Sequence, residues 1–402
     1  MGLNLVANEL SWNDCVREAY EKNPELRSSM DNLSSKEYSV KSSYSSLMPQ
    51  INASMGYQQG TSYTSSTITP SYSARLSLSQ SIFNSFYDYA KIKQAKASRE
   101  SASASLDSVR AKLSAELKTA FADLLYSKSS IELNKNIIKR RKDNLSSVEL
   151  RFESGRENKG SVLLSKAYLE QANYDLIQAE NNTDVAMANL ARVLGRTEYT
   201  DFSIKNDIPT LTGTMSPDFK NIALDTPEYK IAIAQENLAR ANLTQARSGF
   251  LPSLMFSGEY GRLDSKWFPD KKAWSLGLTL SIPLFNSGRD YYSTNSASYA
   301  VDSEVLTRQD LLNRLISRLK KAYNEYRESI QKLIVDESFQ KALSVRAEIA
   351  RSMYNNGLMS FTDWDLIEND LINRQKTVLS SQREKTIKEA QWEQIQGKGV
   401  RP

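Results

Sequence analysis

The chain contains no histidine. That removes the commonest metal-binding side chain, the commonest general base and the side chain that ordinarily titrates near neutral pH. It contains one cysteine, Cys15, so no internal disulfide can form. A lipid-anchored cysteine needs small or apolar residues before it, whereas Cys15 follows Ser11-Trp12-Asn13-Asp14; it reads as a small hydrophobe buried on a helix. No run of about eighteen apolar residues occurs, so no membrane-spanning helix is encoded. The first ten residues are too polar for a secretory signal. There is no P-loop and no GxGxxG, and the abundant serines have no histidine to activate them. No catalytic residue, cofactor or metal site is therefore expected. Basic blocks with interleaved aromatics are missing as well. The 52 basic and 47 acidic residues alternate along the chain, which argues against a nucleic-acid partner.

What remains is polar. Only 40% of the residues are hydrophobic, glycine is scarce at 15 in 402, and the mean hydropathy is −0.52. That profile suits long helices that each bury one stripe. Internal similarity then sets the organisation. Asn23–Leu26 (NPEL) returns as Thr226–Tyr229 (TPEY), and Leu47–Gly60 returns as Phe250–Arg262. Arg75–Phe86 returns as Gly277–Gly288, and Arg151–Arg156 as Met353–Leu358. The offset stays at 202 or 203, so two similar halves, 1–200 and 226–402, flank a linker at 201–225.

Each half repeats one order of elements. A short helix begins at Leu10–Asp14, where Ser11 and Asp14 have capping-box spacing. A second starts at Asn23 with Pro24 in the first helical position, echoed by Thr226 and Pro227. Each stops before a proline, Pro49 or Pro252, and two alternating stretches follow as a hairpin at about 50–83 and 253–285. Their strands are expected to run about 9–13 residues, separated by a Ser/Thr-rich loop containing Pro70 in one half and by Arg262–Lys272 in the other. Proline-free runs come next. Leu106, Val109, Leu113, Leu117, Phe121 and Leu124 recur at three- and four-residue steps, as do Leu312, Leu315, Leu319, Tyr323 and Tyr326. The spacing suits a coiled-coil seam and an ordinary bundle core equally. Long helices over 85–154 and 287–356 would each run about 105 Å, too long for a compact domain. Gly155 and Gly357 then suit helix-ending turns. Return helices follow at 161–194 and 361–395, the second leading into a C-terminal tail.

The strands pose a physical problem. Trp274, Leu276, Leu278, Leu280 and Ile282 alternate with Ser275, Gly277, Thr279 and Ser281, and Leu76, Leu78 and Ile82 repeat the pattern. Four strands cannot close on themselves, and their apolar face is too large to leave in water. Either they pack on helices as a small sheet, or several chains close them into a barrel whose apolar exterior meets lipid. The polar opposite face and the aromatics near strand ends (Tyr57, Tyr72, Phe83, Tyr260, Trp274, Phe285) suit the barrel. Two chains would supply eight strands and a filled barrel, whereas three supply twelve and leave room for a channel.

The duplicated order, together with LSWNDCVREAYEKNPEL near the start, LTLSIPLFNSGRD between strand and helix, and SMYNNGLMSFTDWDLIENDLINRQ at the second turn, resembles the TolC-type outer-membrane efflux proteins over essentially the whole chain. The resemblance implies a mainly α chain with a membrane β-barrel. In it a homotrimer forms a twelve-stranded barrel, four strands per chain, in the outer membrane of a Gram-negative-type bacterium. A long α-helical barrel would continue it into the periplasm, with an equatorial belt from the linker and the tail. Its partners would be outer-membrane lipid, a periplasmic adaptor (membrane fusion) protein and an inner-membrane transporter of an efflux or type I secretion system. Adaptor docking would use Arg156, Glu157, Lys159, Leu358, Met359 and Ser360, residues that equally suit solvated loops. The first turn reads as two residues longer than the second. A ring of acidic residues past the second turn would constrict the pore. Asp363 falls at the matching distance, and it equally suits a helix N-terminal carboxylate. The family's second acidic position aligns with Leu366; Asp365 lies one residue earlier, about 100° around the helix. The family's basic latch position falls on Met359. The alternative from another class is a soluble periplasmic coiled-coil scaffold or adaptor.

Overall fold

The structure, a computed structural model, describes residues 9–62, 65–196, 203–205, 209 and 217–399. Of the linker expected at 201–225, residues 203–205, 209 and 217–225 are among them. The chain begins with β1 (Glu9–Leu10), α1 (Trp12–Lys22), α2 (Pro24–Ser43), β2 (Gln50–Ser62) and β3 (Ser65–Asn84). A long helix α3 (Tyr87–Glu153) and its return α4 (Lys159–Leu194) follow, then β4 (Ser203–Ile204) and α5 (Phe219–Asp225). The second half comprises α6 (Pro227–Arg247), β5 (Ser253–Asp264), β6 (Lys271–Ser281), α7 (Arg289–Asn355) and α8 (Phe361–Ile395). The contacts divide into two compact units, one of residues 1–28, 106–226 and 314–402, the other of 29–105 and 227–313.

In the first unit, α1 opens with the capping box that Ser11 and Asp14 promise: Asp14 N donates to Ser11 Oγ and Ser11 N to Asp14 Oδ2, both at 3.2 Å. The helix starts at Trp12, not at Leu10. Leu10 instead lies in β1, whose two residues pair in parallel with β4 (Leu10 opposite Ile204). Trp12, Cys15 and Val16 pack with Leu117, Phe121 and Leu124 of α3 and Leu190 and Leu194 of α4. Cys15 is fully buried in that cluster, which is the place of a small hydrophobe.

The last turn of α4 is held to α1 from two directions. Gly195 has φ 79°, and a Cβ there would lie 2.5 Å from Lys22 O. Arg196 grips Glu18 with both ends of its guanidinium, Nε to Oε1 at 2.8 Å and Nη2 to Oε2 at 2.6 Å. That pair holds the Glu18 carboxyl below the ordinary glutamate value. Deeper in the unit, Lys118 of α3 is buried against two carboxylates of α8, Glu389 at 2.8 Å and Glu393 at 3.1 Å. Burial raises the Glu393 carboxyl above its ordinary range.

The second unit holds one antiparallel sheet in the order β2-β3-β5-β6. β2 (13 residues), β5 (12) and β6 (11) have the expected length, whereas β3 runs further. β3 has 20 residues and includes Pro70, which pairs with Gln59 and is not in a loop. The pairing of β3 with β5 begins only at Tyr72, so Pro70 lies where β3 has a strand neighbour on one side, a position at which a missing N–H is tolerated. In the other hairpin Arg262 pairs with Lys272 and Leu263 with Lys271, so the ladder extends into the segment expected to be loop. Strand hands over to helix through paired positive-φ residues, Ser85 (53°) and Phe86 (64°) in one half, Ser287 (51°) and Gly288 (79°) in the other. Ser85 Oγ donates within reach of both Leu251 O (2.7 Å) and Pro252 O (2.8 Å), which ties the first handover to the start of β5.

Two measurements follow from the ends of α3 and α4. Gly155 has φ 73° with open space around it, so Gly155→Ala should cost about 1–2 kcal/mol for the left-handed backbone. Gly195→Ala adds a collision with Lys22 O and should lower the thermal unfolding midpoint clearly further. Glu18→Gln should destabilise by about 1–2 kcal/mol at pH 7, the scale of a charged hydrogen bond. Because the Glu18 pKa is lowered on folding, its stabilisation exists above the unfolded value and is lost as pH falls through the folded one. Denaturation curves of the wild type and Glu18→Gln should therefore converge in acid.

Candidate functional site

The two helical turns are built alike. At the first, Gly155 N donates to Phe152 O (2.9 Å) and Arg156 N to Arg151 O (2.8 Å). At the second, Gly357 N donates to Tyr354 O (2.9 Å) and Leu358 N to Met353 O (2.8 Å). Both are Schellman closures, with a left-handed glycine satisfying the last carbonyls of its helix. Three residues on, Asn158 caps α4 through Ser161 N, and Ser360 caps α8 through Asp363 N. Residues 154–158 and 356–360 join the helices, so the first turn is not two residues longer. The 202-residue offset holds through both turns.

Inside, the turns differ. The Tyr354 ring is fully buried and stacks on Trp364 at 4.3 Å and 10°. Its hydroxyl donates to Glu157 Oε2 at 3.0 Å, and Arg151 lies over the same ring at 4.5 Å while donating to Tyr354 O. Glu157 also accepts from Ser161 Oγ (3.0 Å) and Asn158 N (3.1 Å). The first turn thus supplies a cation and a carboxylate, and the second supplies the ring between them. Val148, Val162, Phe361, Ile367 and Leu371 complete the core. Burial raises the Tyr354 hydroxyl pKa, so the group stays a donor throughout the neutral range.

The residues expected at the turns fall into two sets. Arg156, Lys159 and Leu358 are exposed, whereas Glu157 is held by Tyr354, Met359 packs on the apolar cluster and Ser360 caps α8. Asp363 is exposed at the third position of α8, and Ser360 Oγ donates to its carboxylate at 2.6 Å. Asp365 is half-buried. Its carboxylate lies 3.6 Å from Arg141 and accepts from Asn369 Nδ2 at 3.0 Å, while Arg141 covers the Tyr168 ring at 4.5 Å. Burial raises the Asp365 carboxyl despite those partners. One turn deeper, Glu368 is buried between Arg351 (3.1 Å) and Arg140 (3.6 Å). Sequence reasoning missed Tyr354, Trp364, Arg151 and Arg141. Their period marks them only as helix core.

In the sheet, register assigns every side chain to a face. Leu76 lies opposite Tyr260, Leu78 opposite Gly258, and Tyr260 opposite Trp274. Leu276, Leu278 and Leu280 pair with Gly258, Phe256 and Leu254, and β2 adds Ile51, Ala53 and Met55. All share one face, because directly opposed residues point the same way. Trp274 is 73% exposed and Met55 92%. Ile82 sits in a bulge between Ser81 and Phe83, and Phe83 takes the place opposite Leu254. Ile282 lies just beyond the end of β6 and is exposed. The other face carries Asn52, Ser54, Ser73, Ser77, Ser257, Ser275 and Thr279, with one ion pair, Arg75–Glu259 at 3.5 Å. Among the described residues, β2 and β6 each lack a neighbour on one side.

A duplicated helix–hairpin chain that carries a one-faced sheet with two open edges is the architecture of an outer-membrane channel. The outer membrane efflux protein family matches residues 15–196 and 222–398, one match per half, and the chain belongs to that family. It is 23% identical over 326 residues to the alkaline protease secretion protein AprF of Pseudomonas aeruginosa, covering 78% of this chain and 66% of AprF. It is 23% identical over 334 residues to the outer membrane protein TolC of Vibrio cholerae, covering 78% of this chain and 74% of TolC. The fold is that of CusC, with a TM-score of 0.88 at 16% identity over 98% of this chain and 93% of the CusC chain. Nothing in these relatives supports the soluble scaffold reading, and the family is one of transport proteins.

The turn core makes a separable prediction. Tyr354→Ala empties a stacked, fully buried site and should cost about 3–5 kcal/mol. Tyr354→Phe keeps the stack, loses the bond to Glu157 and should cost about 1 kcal/mol. Hydrogen exchange over 150–165 and 352–366 should rise strongly in the first variant and slightly in the second.

Proposed function

We propose that this chain is the outer-membrane exit duct of a tripartite efflux pump or type I secretion system, and that it conducts passively as a homotrimer. The observation that carries the reading is the sheet: one face apolar and exposed, the other polar, with both edges open. Strand directions alternate across β2-β3-β5-β6, so β6 of one copy meets β2 of the next in antiparallel fashion. Three copies close a twelve-stranded barrel with a wet lumen of Ser, Asn and Thr and an exterior in lipid. Trp274, Leu276, Leu278, Leu280, Leu76 and Leu78 form the outer belt. Ile282 and the Ile82–Phe83 bulge lie at its helical end.

Arg156, Lys159 and Leu358 are the turn residues left outward for a periplasmic adaptor, which in turn engages an inner-membrane transporter. Asp363 is the carboxylate we assign to the entrance. Three copies around one axis would favour cations. Asp365 stands beside it, and Arg141 holds its charge within the chain. Chemistry on the cargo is not part of the reading, since the chain has no histidine and the buried carboxylates described above face Arg or Lys.

Two measurements test this. Purified protein should need detergent and migrate as a trimer; a monomer that stays soluble without detergent would refute the barrel. In planar bilayers the trimer should form a cation-selective pore, and Asp363→Asn should reduce the selectivity severalfold. Unchanged selectivity would remove Asp363 from the entrance.

A further inference from the structure

The apolar face of the sheet does not end at random. Row by row toward the β5–β6 hairpin it carries Leu254 and Leu280, then Phe256 and Leu278, then Gly258 and Leu276, then Tyr260 and Trp274. The next pair on that face is Arg262 opposite Lys272. Rows lie about 7 Å apart along a strand, so two cations stand side by side one step beyond the aromatic pair. Both are exposed, and Lys272 makes no ion pair among the described residues. Arg262 reaches Asp270 only at 4.0 Å. Asp264 lies one row further out, on the same face.

We infer that Arg262 and Lys272 form a binding site for the phosphate of an anionic lipid headgroup, in the leaflet remote from the helices. The inference rests on the reading of the sheet as membrane-spanning. On β5 and β6 four apolar rows end in Tyr260 and Trp274, while on β2 and β3 the same face continues through Met55 and Ala74 to Tyr57 and Tyr72, so the two cations lie within an aromatic girdle, where acyl chains give way to headgroups. A planar guanidinium beside an ammonium, on neighbouring strands, presents a fork and a point charge to one phosphate. The carboxylates of Asp264 and Asp270 keep an anion from settling further out, so the charge complement lies at headgroup depth. Free phosphate would gain nothing from the apolar rows below, whereas a lipid fills both parts of the surface. Each chain carries one such site, next to the open edge of β6.

Fluorescence quenching of Trp274 tests this in the full protein. Trp12, Trp364 and Trp392 are buried, and Trp267→Phe removes the other exposed indole. The protein is reconstituted in phosphatidylcholine vesicles containing an equal mole fraction of either brominated phosphatidylglycerol or brominated phosphatidylcholine. The anionic lipid should quench Trp274 about fivefold more effectively, the scale of one basic residue at an anionic surface. Arg262→Gln with Lys272→Gln should make the two lipids equal while leaving quenching by brominated phosphatidylcholine intact, and Arg262→Lys with Lys272→Arg should keep the preference. Equal quenching by both lipids in the starting protein would overturn the site and leave the membrane reading standing. No quenching by either lipid would overturn the membrane reading itself.

Discussion

A four-stranded sheet with one greasy face and two unpaired edges cannot be satisfied within one chain. Backbone donors and acceptors along β2 and β6 need partners, and the face that runs from Ile51 to Trp274 needs an apolar solvent. Open edges call for more strand, and an exposed belt calls for lipid. Closure by further copies inside a membrane answers both demands at once. Paired positive-φ residues turn each hairpin into a helix, and Ser85 ties the first of those turns to the start of β5.

The first unit solves a different problem, which is how polar helices hold together with little apolar surface. Its answer is local. Clusters of aromatic and aliphatic side chains, such as Trp12 with Phe121 and Tyr354 with Trp364, alternate with buried ion pairs such as Lys118 between Glu389 and Glu393. Breaking one partner of such a pair strands a charge, so the pairs specify which helix faces meet.

Much of this was legible in the sequence. Period-two alternation identified the apolar face, and Gly155 and Gly357 marked both helical turns. Other features left no local signal. The two-residue strands β1 and β4 are too short to show a period, and their pairing joins residues far apart in the chain. Pro70 and its Ser/Thr neighbours look like loop because composition does not report that β3 has an open side there. Asp365 was placed as the residue before Leu366, where the resemblance puts the second acidic position, and the step of about 100° between them turns it toward Arg141 and Tyr168 of its own chain. The Tyr354–Glu157 contact joins residues 197 apart and depends on both turns having the same length.

Those two turns share one backbone and hold different contents. The first brings Arg151 and Glu157, the second Tyr354 and Trp364, and each set completes the other. Identical half-length chains would have to place all four groups on every turn, or leave some without partners. Neither half carries a complete interior for its own tip, so the two halves are not interchangeable although their turn backbones are alike.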